Sequence, residues 1–282
     1  MTGEPRIEVL ADPEATSRAA AEAIADALVD AVARRGRADW ATTGGSTPVG
    51  IYRELAVAPL RDLIPWQAVN VWWGDDRYVP RDHPLSNALP LDEVLVSTAA
   101  RASLSGTGEY PIDVEEGLEP GVPLPVANIH APRMGDAIGL AAGPEWAARE
   151  YADRLRDAGL PASDDGFPIL DIVLVGVGPD GHVMSVFPRS ALFDSEAWVS
   201  AVPAPTHIEP HVARISLHPR MLEVARLPIV VAHGAGKAAA LASVLGDERD
   251  VRRWPAQLAR REGAIWFLDR AAAAELPSTI GG

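Results

Sequence analysis

The sequence predicts an α/β protein built on a mainly parallel sheet flanked by helices. Three observations carry that prediction. Apolar runs such as Ile172 to Val175 are continuous, the pattern of strands buried on both faces. Such runs alternate along the chain with segments of helical pattern. Several of them break abruptly into glycine-rich turns, and in an open parallel sheet ligands collect beyond the carboxyl ends of the strands.

The elements follow in order. Asp12-Pro13 reads as an N-cap followed by proline at the first helical position, and Gly36 ends the Ala-rich periodic segment after it. A strand "ADWATT" runs into "GGSTP" and a helix, "VGIYRELA". "VNVWW" is the next strand, leading into "GDDRYVPRDHPLSN". Residues 101–127 carry several Gly and Pro, five acids from Glu109 to Glu119 and little periodicity. They read as a long loop or an ordered insertion within one domain spanning 1–282, not as a linker. "PEWAAREYADRLRDAG" is a helix with a glycine stop before the strand at Ile172. "VARISLH" reads as a strand and "PRMLEVA" as a short helix. "PIVVAHG" is a strand feeding the helix "AGKAAALASVLG", and "AIWFLD" is a last strand before an expected helix, "RAAAAEL".

Composition narrows the function. Without cysteine, disulfides, thiolate zinc sites and thiol nucleophiles are excluded. A net charge of −14 argues against a nucleic-acid surface, whose footprint is a basic patch. No apolar run is long enough to span a bilayer, and the N-terminus lacks a secretory pattern, so a cytoplasmic protein with no membrane partner is expected. The 25 basic residues are 24 Arg and one Lys, Lys237.

Four strand ends carry unusual chemistry. In "TTGGSTP", Gly44 and Gly45 let backbone approach a ligand and Ser46 offers a hydroxyl at a helix start, which suits either a phosphate cradle or a tight capped turn. In "HGAGKAAAL" the only lysine follows two glycines at a helix start, where a bound anion would offset its unfavourable place on the helix dipole; an ordinary surface lysine is the alternative. The spacing is not that of a Walker A loop. In "GVGPDGH" the glycines match G-x-G-x-x-G, but Pro179 within the loop and Pro188 soon after argue against a dinucleotide site. His182 follows Asp180-Gly181 directly, where a general base would be well placed. In "WWGDDRYVP", Asp75, Asp76 and Arg77 are either a surface pair or an Arg aimed at a substrate anion beside an orienting carboxylate.

Other chemistry is weaker. His207 and His211 in "HIEPH" have the i, i+4 spacing of a zinc pair, but Pro210 breaks a helix there and the order is not H-E-x-x-H. "GGSTP" is not the G-x-S-x-G elbow of serine hydrolases. No metal or cofactor is expected.

Taken together, "GGSTPVGIY", "GDDRYVPRDHPLSN", "GVGPDGHVMSVFP", "GAGKA" and "WFLDRAAA" resemble the 6-phosphogluconolactonase family, collinearly from about Ile7 to Leu276. "NIH" at Asn128 to His130 is similar to a further family segment. The resemblance implies the Rossmann-like fold shared with glucosamine-6-phosphate isomerases/deaminases. In those relatives the Asp-Gly-His turn continues towards Ala-Phe-Asn-Glu-Pro, whereas here Val-Met-Ser-Val-Phe-Pro follows, which favours the lactonase. The chain departs from the family pattern in having Asp76 for Glu, Val183 and Met184 for Thr and Ala, and "HVARISLHP" for the usual Pro-Pro-x-x-Arg-Ile-Thr-Leu.

The implied activity is hydrolysis of 6-phospho-D-glucono-1,5-lactone to 6-phosphogluconate in the oxidative pentose phosphate pathway, by a monomer or small homo-oligomer. His182 would serve as base, oriented by Asp180 or Asp75; Gly44, Gly45, Ser46, Arg77 and Lys237 would hold the phosphate. An imidazole, with an ordinary pKa near about 6.5, suits such a base at neutral pH. The rivals are amino-sugar-phosphate isomerisation with deamination, and a non-catalytic sugar-phosphate sensor. The sensor reading predicts an attached DNA-binding domain, for which the N-terminus offers no basic recognition segment.

Overall fold

Strands of continuous apolar character need cover on both faces, and the computed structural model, described for residues 3–45, 47–97, 100 and 121–277, supplies it. The strands are β1 (Arg6–Leu10), β2 (Ala38–Thr42), β3 (Val69–Trp73), β4 (Asp75–Arg77), β5 (Ile172–Gly176), β6 (Val199–Val202), β7 (Arg214–Leu217), β8 (Leu227–Ala232) and β9 (Ile265–Asp269). Six of them form an all-parallel sheet in the order β1-β9-β8-β5-β2-β3. The other three pair antiparallel as β4-β7-β6.

Side chains alternate across each strand, so one sequence run feeds two cores. Ile172 and Leu174 pack with Ile229, Val231 and Trp40 beneath helices α1 (Pro13–Arg35) and α2 (Thr47–Leu55). Val173 and Val175 pack with Val230 and Trp266 on the opposite face, against the helix Gly143–Asp157 and the small sheet. Each such buried side chain contributes roughly 1.5–3 kcal/mol, so register is strongly fixed. Helix α1 begins and ends as its sequence dictates. Asp12 Oδ1 accepts the Ala15 N–H at 2.8 Å, Pro13 opens the first turn, and Gly36 takes the left-handed conformation (φ 75°).

The strand order sets the place of the site. From β2 the chain moves outward to β3 on one side, and from β5 outward to β8 and β9 on the other, so the order reverses between β2 and β5. These two pair only at Trp40 with Ile172 and Ala41 with Val173. Beyond those pairs the strands part, opening a crevice at their carboxyl ends.

The structure corrects several readings. "DDR" is itself a strand, β4, and β7, within "VARISLH", joins it in the separate antiparallel sheet. Gly74 links the two sheets: its N–H donates to Thr42 O at 2.9 Å and its carbonyl accepts from Leu217 N at 2.8 Å. Strands β1 (RIEVL) and β6 (VSAV) add to the strands expected above, as short runs of five and four residues. "AGKAAALASVLG" starts with a 3₁₀ turn over Ala235–Lys237, and its α-helix spans Ala238–Val244. "RAAAAEL" forms turns and not a helix: the Asp269 carboxylate takes the Ala272 N–H at 2.6 Å, and Pro277 closes a segment too short to sustain a helix on propensity alone. Of the expected insertion, 101–120 lies outside the described residues. Its end is packed, with Val122 and Leu124 buried and the Val122 N–H on Leu95 O at 2.9 Å. Among the described residues no helix is long and apolar enough to cross a membrane.

Candidate active site

The turn after β5 is built to carry an imidazole. The Gly178 N–H donates to His182 O at 2.8 Å and the Gly181 N–H to Gly178 O at 3.0 Å, closing the loop on itself. Gly181 is left-handed (φ 80°), a conformation that costs a side chain dearly. Gly178 matters for space: a Cβ there would fall 2.0 Å from His182 Nδ1, so only glycine lets the ring fold back across the turn. Met184, two residues on, is itself left-handed (φ 53°) and lines the crevice, its side chain lying close against Gly74.

His182 Nδ1 lies 2.5 Å from Asp180 Oδ1, and the His182 backbone N–H reaches the same oxygen at 3.2 Å. That contact places the ring proton on Nδ1 and leaves Nε2 as the nitrogen with a lone pair. Burial alone would push the Asp180 carboxyl up, but the hydrogen bond and charge of His182, with a hydrogen bond from His207, hold it well below the usual carboxylate range.

His182 lines a cavity of about 490 Å³ in the crevice between β2 and β5. Gly44, Gly45 and Thr47 from the β2 turn, Asp75 and Arg77 from β4, and Lys237 from the turn after β8 line it too. Ser46 lies outside the described residues. Gly45 is left-handed (φ 78°), and Gly44 lets the Asn87 carboxamide come close: a Cβ there would sit 1.7 Å from Asn87 Oδ1.

The two neighbouring carboxyls of β4 face different surroundings. Asp75 Oδ2 accepts the Ser185 hydroxyl at 2.6 Å and Oδ1 accepts Asn87 Nδ2 at 3.1 Å, whereas Asp180 is the carboxylate bonded to His182. Asp76 Oδ1 accepts the Arg77 N–H at 2.8 Å and the Asn87 N–H at 2.7 Å, tying the strand to the 78–87 loop. Burial pushes its pKa up to about 7 against these two hydrogen bonds, and the nearby Asp75 adds to the rise.

Arg77, Arg214 and Lys237 bring positive charge to the cavity, against Asp75 and Glu209. In a chain of net charge −14 this is a local reversal of sign. Burial pulls the Lys237 pKa down and the Asp180 charge partly restores it. Five buried side-chain polar atoms among the described residues have no hydrogen-bond partner, and three of them, Arg77 Nε, Arg214 Nε and Asn87 Oδ1, belong to residues that line this cavity. Buried polar groups are rarely left so, and their convergence marks a place for a polar ligand.

Sequence reasoning missed Asn87, Arg214 as a lining residue, Ser185 and His207. Asn87 ends "GDDRYVPRDHPLSN", Ser185 stands in "GVGPDGHVMSVFP" and Arg214 in "VARISLH", but a local pattern does not say which groups such residues meet across the fold, as Ser185 meets Asp75. His207 and His211 do not form a metal pair: His207 Nε2 is 3.0 Å from Asp180 Oδ2, while His211 Nδ1 faces Pro205 O at 2.7 Å. Among the described residues no three His, Asp or Glu side chains converge as metal ligands. His130 of "NIH" does not line the cavity. It stacks on Trp72 at 4.0 Å, and burial pushes its pKa down to about 4.

The family model of glucosamine-6-phosphate isomerases/6-phosphogluconolactonase matches residues 11–267. The chain is 32% identical to the 6-phosphogluconolactonase of Streptomyces coelicolor over 281 residues, covering 99% of this chain and 98% of that protein. It is 32% identical to the 6-phosphogluconolactonase of Mycobacterium tuberculosis over 273 residues, covering 96% and 98%. Among solved structures, the 6-phosphogluconolactonase of Trypanosoma brucei superimposes with a TM-score of 0.78 at 26% identity, covering 98% of this chain and 100% of that one. A monomeric glucosamine-6-phosphate deaminase shares the fold, with a TM-score of 0.70 at 16% identity over 96% of this chain and 99% of that one.

Proposed function

The chain belongs to the glucosamine-6-phosphate isomerase/6-phosphogluconolactonase family, and from that premise we propose how it works as a 6-phosphogluconolactonase, a hydrolase of the pentose phosphate pathway. The observation that carries the mechanism is the Asp180–His182 pair, 2.5 Å apart, with His182 on the wall of a cavity that three cationic side chains line.

The substrate is a small sugar-phosphate lactone, and its carbonyl carbon is already electrophilic. His182 Nε2 takes a proton from a water molecule as the water oxygen bonds to C1. The carbonyl oxygen becomes an oxyanion, stabilised by backbone N–H groups of the glycine turns after β2 and β5. The C1–ring-oxygen bond then breaks, and the departing oxygen takes the proton back from His182 to become a hydroxyl. Asp180 keeps the ring in the required tautomer and stabilises the transient imidazolium. General-base help of this kind is worth about 10²–10⁴ in rate. The 6-phosphate lies against Gly44, Gly45 and Ser46, with Arg77 and Lys237 supplying charge, and Asn87 and Arg214 meet the sugar hydroxyls or the phosphate. Asp75 is held ready by Ser185 and Asn87 as an acceptor for a substrate hydroxyl.

In this reading residues 1–282 are one domain acting in the cytoplasm as a monomer or small homo-oligomer, without a nucleic-acid partner. Three assays on the purified protein test it: proton release from fresh lactone above the spontaneous rate, ammonia release from glucosamine 6-phosphate, and binding without turnover. Only the first is expected. Ammonia release, or binding alone, would overturn it.

A further inference from the structure

Asp180 is held at both oxygens. Oδ1 faces His182, and Oδ2 lies 3.0 Å from Nε2 of His207. The torsion that turns a carboxylate has a broad well, so a carboxylate fixed at one oxygen still swings. A second donor on the other oxygen removes that freedom.

The surroundings of the second donor are built. Phe187 packs against both imidazoles, 4.8 Å from the His182 ring centre and 5.5 Å, edge-on, from that of His207. The Arg214 guanidinium lies 5.3 Å over the same phenyl ring. The segment carrying His207 is fixed further along by His211 Nδ1 on Pro205 O at 2.7 Å and Arg214 Nη2 on Pro210 O at 3.2 Å. Ile208 and Glu209, which follow His207, line the cavity. His207 itself is half exposed, so it stands at the solvent edge of the group, with Asp180 between it and the base.

We infer that His207 is a positioning residue for the hydrolysis. As a neutral imidazole it donates its Nε2–H to Asp180 Oδ2, fixing the carboxylate so that Oδ1 keeps the His182 proton on Nδ1 and leaves Nε2 bare toward the substrate. His207 touches no substrate atom and no proton passes through it. Two other charges act on Asp180, Lys237 from the turn after β8 and Arg214 from β7. Both act through their charge, whereas the hydrogen bond to Oδ2 comes from His207, so the orientation falls to it. The inference rests on His182 being the base.

The test compares His207→Ala with His207→Gln, whose amide N–H reaches about as far as the imidazole Nε2–H. In the alanine variant kcat should fall about 3- to 10-fold with KM unchanged within about twofold, the loss of one partly solvated charge-assisted hydrogen bond and not of the base. The glutamine variant should recover most of that loss. Nitrogen-15 spectra of the imidazoles give a readout that folding alone would not move: His182 should carry its proton on Nδ1 in the wild type and the glutamine variant, and become a mixture of tautomers in the alanine variant. Wild-type kcat in His207→Ala, or a loss of kcat with the His182 tautomer unchanged, would overturn the inference. His182→Gln is measured alongside. If that variant keeps its activity, the base assignment fails whatever His207 does. If it is inactive while His207→Ala is normal, this inference alone fails.

Discussion

Lys237 is the only lysine of the chain, and it stands half buried on the cavity wall with its charge near Asp180. A phosphate six carbons along the sugar does not react, so a cation that holds it stabilises ground and transition states about equally. Lys237→Met should therefore raise KM far more than it lowers kcat, the signature of lost uniform binding. A hydrogen bond to a charged group is worth roughly 1.5–3 kcal/mol, so kcat/KM should drop about 10–150-fold. Unphosphorylated gluconolactone lacks the lysine's partner, and its turnover should hardly change. Equal damage to both substrates would place Lys237 near the reacting carbon or in a structural role. At this scale the sequence was informative because glycine-rich strand ends carry a histidine after Asp-Gly and the only lysine of the chain. It offered Asn87 at the end of "GDDRYVPRDHPLSN" and His207 in "HIEPH" without their partners, Asp75 and Asp180, which only the fold supplies.

At the scale of elements, β4 and the loop after it act as one piece because Asp76 accepts N–H groups from both. Its carboxyl, fully buried, is pushed from 3.8 up to about 7. Between those values the unfolded chain has lost the proton that the folded protein keeps, so the unfolded state binds fewer protons. This group's contribution to stability thus falls as pH rises from about 4 to about 7 and is level above. Asp76→Asn keeps an oxygen acceptor for both N–H groups and does not titrate. Urea unfolding at several pH values should show the variant gaining on the wild type across that window, by up to about 4 kcal/mol. Parallel stability curves would mean that Asp76 is ionised in the folded state. The strand itself was hidden from sequence reading, since "DDR" has no apolar alternation and its partner is β7, far along the chain. β5 was legible for the opposite reason: four consecutive apolar residues, Ile172 to Val175, all buried and running into glycines, can be little else. The turns at 270–276 show the limit of propensity, where alanine-rich sequence yields to a side-chain cap and a following proline.

The whole molecule places all of this at one edge. The order of the parallel strands reverses between β2 and β5, and the glycine turns that follow those two strands face each other across the gap. The alternation of strands and helices was enough to foresee that sheet; the separate antiparallel sheet was not foreseeable, because β4 comes from a segment far along the chain from β6 and β7 and has no apolar alternation. A protein with net charge −14 must gather positive charge locally to hold an anionic substrate, and Arg77, Arg214 and Lys237 do so around His182. The central claim is that this fold delivers His182 as the base for lactone opening. The most direct measurement is kcat of His182→Gln on 6-phosphogluconolactone, corrected for spontaneous hydrolysis, with urea unfolding to establish that the variant is folded. The expected result is a native-like protein with kcat lowered about 10²-fold or more. A folded variant with near-wild-type kcat would contradict the account.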